Sequence, residues 1–301
     1  MRPIQLPSLV LRASAIVLAL GWLLAMMIPA GAESEKEAMP RRIIAIGGSV
    51  TEIVFALGQQ DRLVGRDTTS VYPPEASAVA DVGYIRALSP EGVLSVNPDL
   101  ILALEGAGPP ETVGVLEESG IPLVTIPEGY DGDAIVAKIR ATGKALGVPG
   151  KADELADKVS RDLAAATTTT AKGEPKRVLF ILSMQGGRVM AAGSQTHADA
   201  MIRLAGGTNA LDDMNGYKQV SDEAVIEAKP DVILMMDRRG DHAISDDDLF
   251  SNPAISPTPA GINRNVVRMD GLYLLGFGPR TAEAVRDLGA ALNEQSHAAR
   301  K

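Results

Sequence analysis

Gly83-Tyr84-Ile85-Arg86-Ala87-Leu88-Ser89-Pro90-Glu91-Gly92-Val93-Leu94-Ser95-Val96-Asn97-Pro98-Asp99-Leu100-Ile101-Leu102 is the stretch from which the fold can be read, because most of it returns later in the chain. The second copy runs Gly216-Tyr217-Lys218-Gln219-Val220-Ser221-Asp222-Glu223-Ala224-Val225-Ile226-Glu227-Ala228-Lys229-Pro230-Asp231-Val232-Ile233-Leu234. From Ser89 and Ser221 onward the copies align without a gap: Glu91 on Glu223, Val93 on Val225, Pro98 on Pro230, Asp99 on Asp231 and Leu102 on Leu234. Each reads as a serine N-cap with an acid in the first helical turn, a short helix, a Pro-Asp break and an apolar strand. One such unit is common. Two with the same spacing, each preceded by Gly-Tyr, predict two similar α/β lobes related by duplication.

Working outward, Arg41-Arg42-Ile43-Ile44-Ala45-Ile46 predicts a buried strand, which Gly47-Gly48-Ser49 turns into a helix over 51–57 ended by Gly58. A phosphate-loop reading fails there, since neither GxGxxG nor GK[ST] is present, and the turn is expected to shape the rim of a binding cleft. Strands are expected at 63–65, 100–104 and 121–126, with a polar loop at 66–70 and a helix at 112–119. Amphipathic helices follow over 133–146 and 151–167. The second, with Leu155, Val159 and Leu163 opposite a charged face, is read as a rigid helix joining the lobes. The second lobe restarts with a basic-then-apolar strand at 176–182. A short strand at 189–193, a helix at 196–204, the repeated unit, a strand at 266–269 and a helix over 281–292 complete it.

The 301 residues carry a net charge of -9, which argues against a nucleic-acid partner. There is no cysteine, which removes disulfides, thiolate metal sites, a cysteine nucleophile and a lipid-modified N-terminal cysteine. Residues 1–32 have the pattern of a cleavable export signal: Arg2 and Arg12, an apolar run over 13–29, then Ala30-Gly31-Ala32. A membrane anchor is the competing reading of that run. The expected division is 1–32 signal peptide, 33–132 N-terminal lobe, 133–172 inter-lobe helical linker and 173–301 C-terminal lobe. The three histidines, His197, His242 and His297, make no metal-binding spacing, and Ser194, His197 and Asp199 lie too close along one helix start to form a triad. A binding protein is therefore favoured over an enzyme.

The segments 47–58, 64–74, 82–92, 191–210 and 216–224, taken in order, resemble the periplasmic haem-binding proteins of bacterial haem ABC importers, within the helix-linked substrate-binding proteins that also serve vitamin B12 and ferric siderophores. The resemblance covers essentially the whole mature chain. It implies an α/β fold of two Rossmann-like lobes joined by a long rigid helix, with the ligand cleft between them. It also implies that Tyr84 is the axial ligand of ferric haem. A phenolate is a hard anionic oxygen donor suited to ferric iron, and a nearby cation helps keep it ionised. The resemblance supplies that cation as Arg239, with Arg238 as substitute. Tyr217 is the candidate to cover the opposite haem face or bond a propionate, His197 the candidate second ligand, and Arg66, Arg86 and Thr69 candidates for propionates at the rim. Glu91 and Glu223, one per lobe, are implied to dock on a dimeric permease with its ATPase subunits, downstream of an outer-membrane haem receptor system. The same scaffold carrying a ferric siderophore or cobalamin stays open, though a cleft short of aromatics is unfavourable for those. From other classes, so do an extracytoplasmic sensor and an α/β hydrolase.

Overall fold

The structure, a computed structural model, describes residues 39–170, 174–237 and 244–298, with side chains to 294. The expected signal segment, Arg238, Arg239, His242 and the His297 side chain lie outside the described residues. The first lobe is a five-stranded sheet in the order β3-β2-β1-β4-β5, from β1 (Ile43–Ile46), β2 (Leu63–Arg66), β3 (Ala80–Asp81), β4 (Leu100–Leu104) and β5 (Leu123–Ile126). Every pairing in it is parallel. Its central strand is wholly buried, as expected of a short apolar run covered on both faces. Helices α1 (Gly48–Ala56), α2 (Pro90–Leu94), α3 (Pro110–Glu118) and α4 (Gly132–Ala145) connect or cover it.

Helix α5 (Pro149–Thr170), 22 residues and so about 33 Å long, then leads to the second lobe. The second sheet runs β11-β10-β6-β7-β9, from β6 (Arg177–Gln185), β7 (Arg188–Ala192), β9 (Tyr217–Val220), β10 (Val232–Asp237) and β11 (Val266–Asp270), with the short β8 (Thr208–Asn209) beside β6. Its helices are α6 (His197–Leu204), α7 (Asp222–Ala228), α8 (Asp246–Ser251), α9 (Pro259–Asn263), α10 (Gly271–Leu275) and α11 (Thr281–Ala298). Here the lobes differ. Strands β6, β10 and β11 are parallel, but β7 runs antiparallel to β6 and β9 antiparallel to β7. The reversal is made by Gly186 and Gly187 at φ of 57° and 79°, the positive pair that a two-residue hairpin turn demands.

The duplicated unit folds the same way twice. Ser89 Oγ accepts from Gly92 N at 3.0 Å, and Ser221 Oγ from Ala224 N at 3.2 Å, each capping its helix. The aspartate after each proline then ties down the lobe's first strand. Asp99 accepts from the N–H groups of Arg41 and Arg42 at 2.8 and 2.9 Å, and Asp231 from that of Arg177 at 2.9 Å. Helix α5 acts as a spine. Its Ala152, Ala156, Val159, Leu163 and Ala166 join one core with Ile53, Ile135 and Ile139 on one side and Val285, Leu288 and Leu292 on the other. A Cβ on Gly143 would lie 2.1 Å from that of Ala152, so α4 and α5 touch almost backbone to backbone.

Candidate ligand-binding site

A cavity of about 660 Å³ lies between the lobes, at the C-terminal ends of their parallel strands. From the first lobe it is lined by Gly47, Gly48 and Ser49 at the start of α1, by Thr69 and Val71 after β2, and by Tyr84, Ile85 and Arg86 after β3. From the second come Leu182, His197, Tyr217, Met236 and α10.

Tyr84 owes its position to Asp81. One oxygen of that carboxylate accepts from Gly83 N at 2.9 Å and Thr68 Oγ1 at 3.1 Å, and Thr68 N returns a bond to Gly83 O at 2.9 Å. Gly83 sits at φ 113°, a conformation side chains other than glycine's rarely tolerate, and turns the chain so that Tyr84 faces the cleft. Tyr84 is 47% exposed and its phenol has no partner among the described residues. Arg66 does not line the cavity. Its guanidinium bonds Asp81 at 3.2 Å and the carbonyls of Asp67 and Ala76, so it braces the aspartate that holds the Tyr84 loop. Thr69 does reach the cavity, with its hydroxyl given to the buried Asp67 at 2.6 Å. Asp67 also accepts from Gly47 N, Thr69 N and Ser70 Oγ, locking the first-lobe wall. Arg86 lines the cavity, is exposed and has no carboxylate partner among the described residues.

Tyr217 faces Tyr84's lobe from the start of β9, its ring edge-on to Phe180 at 6.3 Å. Burial pushes its phenol up, against hydrogen bonds from the Ala198 backbone and the Thr196 side chain and the field of Arg86. The shift disfavours ionisation of this phenol. His197, first residue of α6, has its ring between Tyr130 at 4.8 Å and Phe277 at 5.0 Å. Its Nε2 lies 3.4 Å from Glu128 Oε1.

Glu128 and Lys138 were not singled out from the sequence. Lys138 is wholly buried, its ammonium 2.7 Å from Glu128 Oε1 and 3.3 Å from Ser49 Oγ. Burial alone would raise the Glu128 carboxyl, but the His197 and Lys138 contacts outweigh it and hold it below its ordinary 4.5. Burial pulls the Lys138 amine down more than Glu128 restores. A lone lysine on an amphipathic helix gives no sign in sequence of being turned inward. Glu91 and Glu223 lie away from the cavity, both exposed in the first turns of α2 and α7. The Glu223 carboxyl is held below its usual range by its own backbone N–H and the Ser221 hydroxyl.

Two α/β lobes on a shared helical spine, with a preformed cleft at their strand ends, define a helix-linked solute-binding protein. The family model described as periplasmic binding protein matches residues 43–273, and the chain belongs to that family. The structure of the periplasmic heme-binding protein RhuT from Roseiflexus sp. RS-1, in apo form, superposes with a TM-score of 0.82 at 40% identity, covering 85% of this chain and 99% of that one. The periplasmic heme-binding protein BhuT in complex with two hemes superposes at 0.80, also with 40% identity, covering 84% and 98%. An uncharacterized ABC transporter substrate-binding lipoprotein of Bacillus subtilis, YvrC, is 29% identical over 258 residues, 84% of this chain and 80% of the relative.

Proposed function

We propose that this protein is an extracytoplasmic solute-binding protein that captures ferric haem in the inter-lobe cleft through Tyr84 and delivers it to an inner-membrane ABC importer. The observation that carries the reading is Tyr84 itself: an uncommitted phenol on a hydrogen-bonded loop, facing a cavity with apolar walls. Among the described residues no group of three or more His, Asp or Glu side chains could hold a bare metal ion. A metal taken up here would arrive already held by an organic ligand and need one further donor, which suits a macrocycle and one tyrosinate. The chain's five tyrosines support the reading: Tyr84 and Tyr217 line the cavity, Tyr130 packs on His197, Tyr273 lies in α10, and Tyr72 follows the lining residue Val71. The 40% identity to two proteins described as heme-binding supports haem over cobalamin.

Arg86 is assigned to a haem propionate, and Arg238 or Arg239, outside the described residues, to the cation that keeps the Tyr84 ligand ionised. Glu91 and Glu223 are assigned to permease docking. The mature protein is expected in the periplasm after loss of residues 1–32. Titration of the purified protein with ferric haem should give a saturable, high-spin phenolate-type absorption spectrum that Tyr84→Ala abolishes. Glu91→Ala combined with Glu223→Ala should leave that titration unchanged and impair uptake by the reconstituted importer. No saturable binding by the intact protein, or binding of cobalamin instead, would overturn haem as the ligand.

A further inference from the structure

The cleft has a floor that crosses from one lobe to the other. Helix α10 lines the cavity and runs on into Gly276–Arg280, which is fastened to the first-lobe side at two points of opposite sense. At the first, the Lys138 ammonium of α4 reaches the carbonyls of Phe277 at 3.3 Å and Gly276 at 3.5 Å while holding Glu128. At the second, the cation comes from the other lobe. Arg280 donates its backbone N–H to Glu52 Oε1 at 3.1 Å and its guanidinium to Glu52 Oε2 at 3.0 Å. That guanidinium also lies over the Tyr72 ring, 3.3 Å from its centre. Ahead of both points in the chain, Leu272 rests on Gly48 so closely that a Cβ there would come 2.5 Å from it.

We propose that Gly271–Arg280 is a strap whose two anchors set the width of the cleft, and that the Arg280–Glu52 anchor is the one that holds it against cargo release. The anchors are unequal in a way that orders them. The Lys138 side chain is 1% exposed, and its ammonium is shared among a carboxylate, a hydroxyl and two carbonyls. Arg280 pairs with a Glu52 side chain only 6% exposed, and its guanidinium lies over the Tyr72 ring and 5.1 Å from the centre of the Tyr273 ring. Freed from the strap's two carbonyls, Lys138 still holds Glu128 and Ser49, whereas freeing Arg280 strands the buried Glu52 carboxylate without its cation. A partner prying the lobes apart therefore meets its greatest resistance at Arg280. The release step rests on the transport reading, but the strap does not.

The absence of native cysteine lets one introduced pair, at exposed Val115 in α3 and Ile226 in α7, carry spin labels that report the distance between the lobes without ligand. The parent should give one narrow distribution. Arg280→Gln should add a longer population, and so, more weakly, should Glu52→Gln, which keeps the volume and some hydrogen bonding should the first variant fold poorly. Distributions identical to the parent in the folded variants would overturn the strap. With ferric haem bound, Arg280→Gln should speed dissociation on the order of tenfold with the Tyr84-dependent spectrum unchanged. A widened distribution with unaltered dissociation would overturn the release role alone. Failure of the parent to bind haem would sink the transport reading and leave the distance measurement to decide the strap.

Discussion

Tyr84 and Tyr217 hold equivalent places in two copies of one motif, yet their surroundings give them different chemistry. Tyr84 follows the parallel edge strand β3, on a loop whose backbone groups are bonded to Asp81 and Thr68, so its side chain is left over for the cleft. Tyr217 opens β9, paired with Ala192 of β7, and its hydroxyl is met by the start of α6. The motif repeats up to the point where the sheets diverge. Capping, break and strand recur because each lobe needs the same αβ turn, while the residues ahead of the serine follow whichever strand precedes them.

Removing the two hydroxyls should separate these roles most sharply. Tyr84→Phe is expected to weaken ferric haem about 100-fold and to abolish the phenolate spectrum, while Tyr217→Phe changes affinity less than about threefold, both by absorption titration. Comparable losses at the two positions would erase the distinction. A smaller asymmetry lies in the aspartates. Asp99 holds two strand N–H groups and Asp231 one, so Asp99→Ala should cost about 2 kcal/mol and Asp231→Ala about 1 in urea unfolding, both being partly hydrated. The lobes differ too in the charge on their cleft walls. Glu128 titrates below 4.5 when folded, so its contribution is complete above that value and is lost as pH falls through the folded pKa. Glu128→Gln should therefore flatten the acid limb of stability against pH, and parallel limbs would place the carboxyl elsewhere. The smallest effect belongs to the residue before each proline, left-handed in both copies: Asn97 at φ 48° and Lys229 at φ 45°. Asparagine tolerates this better than lysine, so Lys229→Gly should stabilise by about 0.5 kcal/mol and Asn97→Gly by less. Equal gains would show that side-chain identity is irrelevant there.

These contrasts also mark how far the sequence could be read. The serine caps, the Pro-Asp breaks and the joining helix were legible because each is local: a few residues in fixed order leave the backbone one good solution. Thr69, Tyr84, Arg86, His197 and Tyr217, grouped in sequence only by the resemblance, all line one cavity, whereas Arg66 is drawn off to Asp81. The direction of β7 was not legible, since a short apolar run reads alike in either sense and only the paired glycines before it carry the reversal. Lys138, Glu128 and the Arg280–Glu52 pair were missed for a different reason. Glu52 and Arg280 stand 228 positions apart, and nothing in either neighbourhood names the other. Aromatics are scarce, 3% of the chain, yet two of the five tyrosines, Tyr84 and Tyr217, line the cavity.

The spine has a consequence for how the chain is made. Both strands and covering helices of the first lobe are in hand once Ala145 has emerged, but the face of α5 carrying Ala166 and Leu163 is completed by Val285, Leu288 and Leu292 of the last helix. A polypeptide that emerges N-terminus first thus keeps an apolar stripe uncovered until its final segment arrives. Chains broken off before Thr281 would display that stripe permanently, a mark by which proteases can tell an unfinished product from a finished one.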